Sequence, residues 1–173
     1  MNKPVILVDF SDADLSEWYV VNDGVMGGLS RSDIQRTDHD TGLFTGKLSL
    51  ENNGGFASVR TVVGPHDLSN HAGLQIRVRG DGRTYQLRLR SDDRFDGIAY
   101  RALFETSDGE WITIQIPFDQ FLPTFRGRII ADAPPLEVTR IHQLSFLLAD
   151  KQAGSFALEI DCVRTWEPVS SDP

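Results

Sequence analysis

A side-chain period of two, repeated in segment after segment, constrains this chain more than any other feature. Leu74, Ile76 and Val78 alternate with Gln75, Arg77 and Arg79; Tyr85, Leu87 and Leu89 alternate with Gln86, Arg88 and Arg90. Ile112, Ile114 and Ile116 alternate with Thr113 and Gln115, and Phe156, Leu158, Ile160 and Cys162 with Ala157, Glu159, Asp161 and Val163. Successive side chains of a strand point to opposite faces, so these runs describe strands with one face in a core and one in water. Less regular runs cover 5–10, 44–50, 56–63, 99–104 and 141–148. Between them stand turn signals: Asn53-Gly54-Gly55, Gly80-Asp81-Gly82, Asp96-Gly97, Asp108-Gly109 and Pro134-Pro135. No stretch carries a convincing helical stripe; short helical turns are expected only near 12–18 and 117–121. The pattern predicts an all-β fold, a sandwich of two antiparallel sheets.

Asp81-Gly82 separates two strongly alternating runs and predicts a hairpin over 74–89, with Asp108-Gly109 joining the next pair in the same way. Such a hairpin would set Arg77, Arg79, Arg88 and Arg90 on one face. Like charges on facing strands repel unless carboxylates intervene. Two readings follow: a solvated face relieved by the protein's own acids, or a face that docks a partner. The segment from 60 to 101 holds eight arginines and five aspartates within a chain of net charge −8.

That overall negative charge opposes unspecific nucleic-acid binding. With 173 residues and 40% hydrophobic content, one domain is expected over 1–167, with a loosely ordered tail at 168–173. No run reaches the length of a transmembrane helix. The N-terminal residues read as a first strand, not a secretory signal. The single cysteine, Cys162, excludes an internal disulfide and fits a reducing, cytoplasmic setting. It falls on the apolar side of its strand, as a small buried hydrophobe.

Catalytic chemistry finds little footing. His39, His66, His71 and His142 are scattered without metal-ligand spacing. Gly28-Leu29-Ser30-Arg31-Ser32 lacks the closing glycine of a nucleophile elbow. The glycine loops lead into strands, so no helix end is available to cradle a phosphate. Asp92, Asp93 and Asp96 lie close together, but Arg94 interrupts them and the spacing is not that of a calcium loop. No cofactor, no metal and no enzymatic activity are expected.

Residues 18–30, Trp-Tyr-Val-Val-Asn-Asp-Gly-Val-Met-Gly-Gly-Leu-Ser, concentrate glycine between apolar anchors. Gly24, Gly27 and Gly28 imply left-handed backbone or close approach, and Gly27→Val or Gly28→Val is expected to destabilise the fold wherever φ is positive. With Phe44-x-Gly46, Asn52-Asn53-Gly54-Gly55-Phe56-Ala57-Ser58-Val59-Arg60, Gly80-Asp81-Gly82-Arg83-x-Tyr85, Trp111-x-x-Ile114-x-Ile116-Pro117-Phe118-x-x-Phe121, Arg126-Gly127-Arg128 and Asp150-Lys151-Gln152-x-Gly154-x-Phe156, this stretch resembles the complex I intermediate-associated protein family, over about residues 8 to 166. Ser155 and His71 depart mildly from the family pattern. The resemblance implies a galactose-binding-like jelly-roll sandwich. It also implies a non-catalytic, chaperone-like factor that binds protein partners during assembly of the respiratory NADH:ubiquinone oxidoreductase.

Related folds bind sugars with loops at one end of the sandwich, and the alternative reading is a carbohydrate or small-ligand binding module that uses those loops. Under it Trp18, Asn22, Asp23, Met26, Asn53, Asp81, Arg83, Arg126 and Asp150 form a polar rim site. Under the other reading Trp18, Phe56, Tyr85, Trp111, Phe118 and Phe156 fill the core and the glycines serve turns.

Overall fold

The computed structural model describes residues 3–11, 17–26, 28–94 and 97–167, with the side chains of Val25, Met26 and Asn53 left undescribed. The helical turn expected near 12–18 and the tail at 168–173 fall largely or wholly outside those residues. The described chain forms strands β1 (Ile6–Asp9), β2 (Trp18–Val20), β3 (Arg31–Arg36), β4 (Gly42–Leu48), β5 (Ala57–His66), β6 (Gly73–Arg79) and β7 (Thr84–Arg90). They are followed by β8 (Ala99–Glu105), β9 (Trp111–Pro117), β10 (Leu122–Phe125), β11 (Arg128–Ile129), β12 (Ile141–Leu148) and β13 (Gly154–Trp166). Short 3-10 turns interrupt them, one at Phe118–Gln120 where a helical turn was expected.

Two antiparallel sheets stack as a jelly-roll sandwich. The front sheet runs β3-β4-β13-β6-β9, with β1 paired to the second half of β13; the back sheet runs β11-β10-β8-β7-β12-β5-β2. The alternating residues meet between the layers: Leu74, Ile76 and Val78 face Tyr85, Leu87 and Leu89 across the core, all fully buried. Aromatic rings lock the layers together. Phe156 of the front sheet meets Phe44 at 4.9 Å and Tyr85 of the back sheet at 6.4 Å, while Phe104 meets Phe146 edge-on at 6.3 Å.

The hairpin expected over 74–89 does not exist. β6 pairs with β13 and β9 in the front sheet, whereas β7 pairs with β12 and β8 in the back sheet. Asp81-Gly82 therefore carries the chain from one layer to the other, and Asp108-Gly109 returns it. Period-two patterning says which side chains face the core, but both sheets face the same core, so it is silent on which sheet a strand joins. In consequence Arg77 and Arg79 lie on the outer front surface, and Arg88 and Arg90 on the outer back surface.

A second correction concerns β13. The ladder between β13 and β6 slips at Ile160–Cys162, where one extra residue intervenes. Such a bulge reverses the facing of everything beyond it. Val163, not Cys162, enters the core; Cys162 is only half-buried. Its thiol is pushed up by burial and by Asp161 beside it, which makes it a poor nucleophile.

Candidate functional site

The residues expected to form a polar rim are brought to one end of the sandwich, with the exception of Arg126. The β2–β3, β4–β5, β6–β7, β8–β9 and β12–β13 connections share that end, because Leu148 pairs with both Ala57 and Tyr85 and Gly154 with Leu48. Arg126 is at the other end. With Gly127 it makes the tight turn between β10 and β11, both residues at positive φ (52° and 79°), and its guanidinium lies over Phe125 at 5.2 Å.

Two buried hubs organise the shared end. Asp23 is fully buried and its carboxylate accepts hydrogen bonds from Ser30 N (2.9 Å), Ser30 Oγ (2.5 Å), Gly55 N (2.7 Å) and Phe56 N (3.3 Å). Burial pushes this carboxyl up, but the bonds from Ser30, Gly55 and Phe56 outweigh it and hold it below the usual value. Asn22 supports the same junction: its Oδ1 accepts from Ser32 Oγ (2.7 Å) and Ser58 N (3.1 Å). Gly28 packs directly on the hub, since a Cβ there would come 2.4 Å from Asp23 Cγ. Close approach, not positive φ, is why glycine stands at that position; Gly27 lies outside the described residues, as do the side chains of Met26 and Asn53.

The second hub ties the β6–β7 crossing to the β12–β13 turn. Asp81 accepts from Tyr85 Oη (3.0 Å), Ala157 N (2.9 Å) and Arg83 N (3.2 Å). Arg83 grips Asp150 with Nε (2.8 Å) and Nη2 (2.6 Å), and donates to the carbonyls of Gln152, Gly154 and Ser155. Burial, then Asp81, pushes the Tyr85 phenol far up, so it stays a donor. Trp18 stacks on Phe10 at 5.6 Å and packs against the core. In both hubs the polar groups bond to the protein's own side chains and backbone. Among the described residues no group of His, Cys, Asp or Glu is arranged to hold a metal ion.

The two outer faces differ in chemistry. On the front, Arg79 pairs with Glu159 (2.6 Å) and Arg77 with Asp161 (3.2 Å), and both guanidiniums lie over Trp111, at 5.3 and 4.4 Å from its ring centre. With His39 and Thr41 these residues line a groove of about 460 Å³. Thr41 Oγ1 donates to Glu159 (2.6 Å), so the front arginines are relieved by the chain's own acids.

On the back, register sets Leu122, Arg101, Arg88, Ser145, Arg60 and Tyr19 in one row across β10, β8, β7, β12, β5 and β2. Arg88 and Arg101 are directly opposite each other. Among the described residues no carboxylate lies within ion-pair distance of either; Arg88 Nε donates to Gln86 Oε1 (2.9 Å) and Arg101 Nε is buried without a hydrogen bond. Burial pushes the Arg88 guanidinium down to about 10, and Arg90, Arg101 and Arg60 add to the shift. Arg60 lies over Tyr19 at 5.9 Å, and Arg90 donates to Gly97 O (2.7 Å). Exposed apolar side chains flank the row: Leu103 (56% exposed), Val62 (52%) and Leu122 (47%). Arg60, Arg101, Leu122 and Tyr19 were missed in the sequence. Each stands at an outward position of its strand, but only the strand order shows that they are neighbours.

The family model for complex I intermediate-associated protein 30 (CIA30) matches residues 8–160. The chain belongs to the CIA30 family. A mouse relative named complex I intermediate-associated protein 30, mitochondrial, is 29% identical over 170 residues, covering 87% of this chain and 52% of its own length. The Drosophila melanogaster protein of the same name is 28% identical, covering 91% and 61%. This chain thus spans about half to three-fifths of the length of these curated relatives. Among solved structures, the family 11 carbohydrate-binding module of the Clostridium thermocellum cellulase Lic26A-Cel5E superposes with a TM-score of 0.73 at 15% identity, covering 99% of this chain and 98% of that module. A family 29 carbohydrate-binding module gives 0.54 at 9% identity, with 99% of both chains covered. These likenesses establish that the CIA30 chain has the jelly-roll sandwich fold of such modules.

Proposed function

We propose that this CIA30 chain is a non-catalytic, chaperone-like recognition module that holds a polypeptide partner during assembly of a respiratory complex, with the outer face of the back sheet as its docking surface. The observation that carries this reading is the cross-strand pair Arg88 and Arg101, flanked by the exposed Leu122 and Leu103 and, beyond the buried Ser145 and Arg60, by Val62 and Tyr19. Arginine and tyrosine amid apolar side chains are characteristic of surfaces that bind proteins. The family's name supplies the class of partner. A cytoplasmic location belongs to the same proposal; its support is a single cysteine in 173 residues. Among the described residues no helix is long and apolar enough to cross a membrane.

The test is capture of the partner from the protein's own cells with three forms of the chain, quantified by mass spectrometry. Wild type and the Arg77→Glu/Arg79→Glu pair on the front are expected to retain polypeptides of the NADH:ubiquinone oxidoreductase. The Arg88→Glu/Arg101→Glu pair on the back is expected to lose them. Equal retention by both pairs, or no respiratory-complex polypeptide with wild type, contradicts the proposal.

One observation favours a second reading, carbohydrate binding. The front groove combines an aromatic ring, Trp111, with carboxylates and guanidiniums that suit vicinal hydroxyls. Against it, Arg77 and Arg79 lie over the ring that a sugar would stack on. Saturable quenching of tryptophan fluorescence by a β-glucan, lost in Trp111→Ala, would favour this reading over the first.

A further inference from the structure

We propose that the free edge of β9 is a self-association surface, to which a second copy of this chain adds its own β9 antiparallel, with Thr113 on the two-fold axis. This interface is separate from the back-face docking surface, and the outcome at one does not decide the other.

β9 closes one side of the front sheet: it pairs with β6 and has no second neighbour. An open strand edge offers its unpaired backbone groups to another chain, and proteins guard such edges with charges or by keeping the strand short. The other outer strands here are guarded in this way. β1, β2 and β11 have four, three and two residues, and β3 carries Arg31, Asp33 and Arg36. β9 is not guarded. Its seven residues, Trp-Ile-Thr-Ile-Gln-Ile-Pro, include no charge, and its pairing with β6 runs without a bulge.

The ladder shows which backbone groups are open. Gly73 is opposite Pro117, which has no N–H, and the next bond is from Phe118 N to Ala72 O (3.1 Å). Gly73–Pro117 is thus a pair without mutual hydrogen bonds, and alternation makes Ile116, Ile114 and Ile112 the residues bonded to β6. The N–H and C=O groups of Trp111, Thr113 and Gln115 therefore point away from β6. Among the described residues they make no backbone bond outside the ladder. The side chains show the same opening. Ile112, Ile114 and Ile116 face the core opposite Val78, Ile76 and Leu74; Ile116 is buried, but Ile112 and Ile114 are only half-buried. β8 and β9 are joined through 106–110 alone, so Trp111 starts beside the Glu105 end of β8. β10 flanks the other half of β8, along Ala99–Arg101, and leaves the Trp111 half of the β9 edge clear.

The sequence of β9 fits a copy of itself, as a two-fold interface requires. With Thr113 on the axis, Thr113 exchanges both backbone hydrogen bonds with its counterpart, and Trp111 exchanges both with Gln115 of the second copy. Pro117, with no N–H to give, falls outside the paired stretch. The same register sets Ile112 against Ile114 of the second copy, so the half-buried isoleucines of the two edges cover each other. No like charges are brought face to face, because 111–117 holds none.

The direct test is sedimentation equilibrium of the full chain from about 10 µM to 1 mM, the range suited to a small interface. The mass is expected to rise with concentration from one chain to two. Thr113→Pro removes only an N–H that points away from β6, and the two bonds lost at the axis should weaken the dimer about tenfold or more. If Thr113→Pro fails to fold, Thr113→Lys, a change at an exposed side chain, sets like charges face to face on the axis and is also expected to weaken it. Gln35→Lys on the β3 edge adds the same charge and should leave the dimer unchanged. Amide exchange gives a second readout, with protection of Thr113 and Gln115 rising with concentration. The mass of a single chain throughout, or a dimer that the Thr113 variants leave intact, overturns the proposal.

Discussion

At Asp23 one carboxylate draws together the β2–β3 loop, Ser30 and the approach to β5. Its four hydrogen bonds lower its pKa in the folded protein below the ordinary 3.8, despite burial. A group depressed in this way adds stability above its unfolded value, and that stability is lost as pH falls through the folded value. Asp23→Asn is therefore expected to cost about 2–3 kcal/mol at pH 7, the scale of hydrogen bonds to a charged group. The gap to wild type should close as pH drops below the ordinary aspartate range. Urea unfolding across pH 2.5–7 measures both, and a gap independent of pH would assign the effect to packing instead. The loop carrying Asp23 was the most conspicuous in the sequence, and of its glycines Gly28 marks a close approach, Gly24 has open space beside it and Gly27 lies outside the described residues. What Gly28 approaches is the chain's own carboxylate, a distinction composition cannot make, since a buried hub and a ligand site call for the same residue types.

Individual strands were legible because outward and inward residues alternate, and β6, β7, β9 and most of β13 lie where the alternation places them. Strand order was not legible. A short Asp-Gly connection serves a hairpin and a crossing between layers equally well, and the choice here rests on distant groups: Ala157 N on Asp81, and Arg83 on Asp150. The bulge at Cys162 was hidden for a similar reason, because Cys162 and Val163 are both small and apolar. The Arg83 clamp supplies a prediction at this scale. Its side chain and that of Asp150 are nearly buried (11% and 7% exposed), so Arg83→Met leaves an uncompensated carboxylate. Loss of one partner of a buried pair costs about 3–5 kcal/mol. Chemical denaturation is expected to show that loss, with faster amide exchange in the β6–β7 and β12–β13 connections. A cost under about 1 kcal/mol, typical of exposed pairs, would mean the clamp is not structural.

Across the whole molecule, the motif-rich end is held by internal hydrogen bonds while Arg88 and Arg101 lie side by side on the outer back surface. Arg88 and Arg101 are directly opposite each other on the back sheet, and under the proposed function this pair is where a partner meets the protein. The front surface, with its arginines already paired, is the natural internal control. The measurement closest to the central claim is site-specific photo-crosslinking in living cells. One photoreactive residue replaces Leu122 or Leu103 on the back face, and another replaces Thr113 on the front face. The account predicts one common polypeptide crosslinked from both back positions, absent from Thr113, and lost when Arg88→Glu and Arg101→Glu are added. Crosslinks only from the front position, or back-face crosslinks that survive the charge reversal, would contradict it.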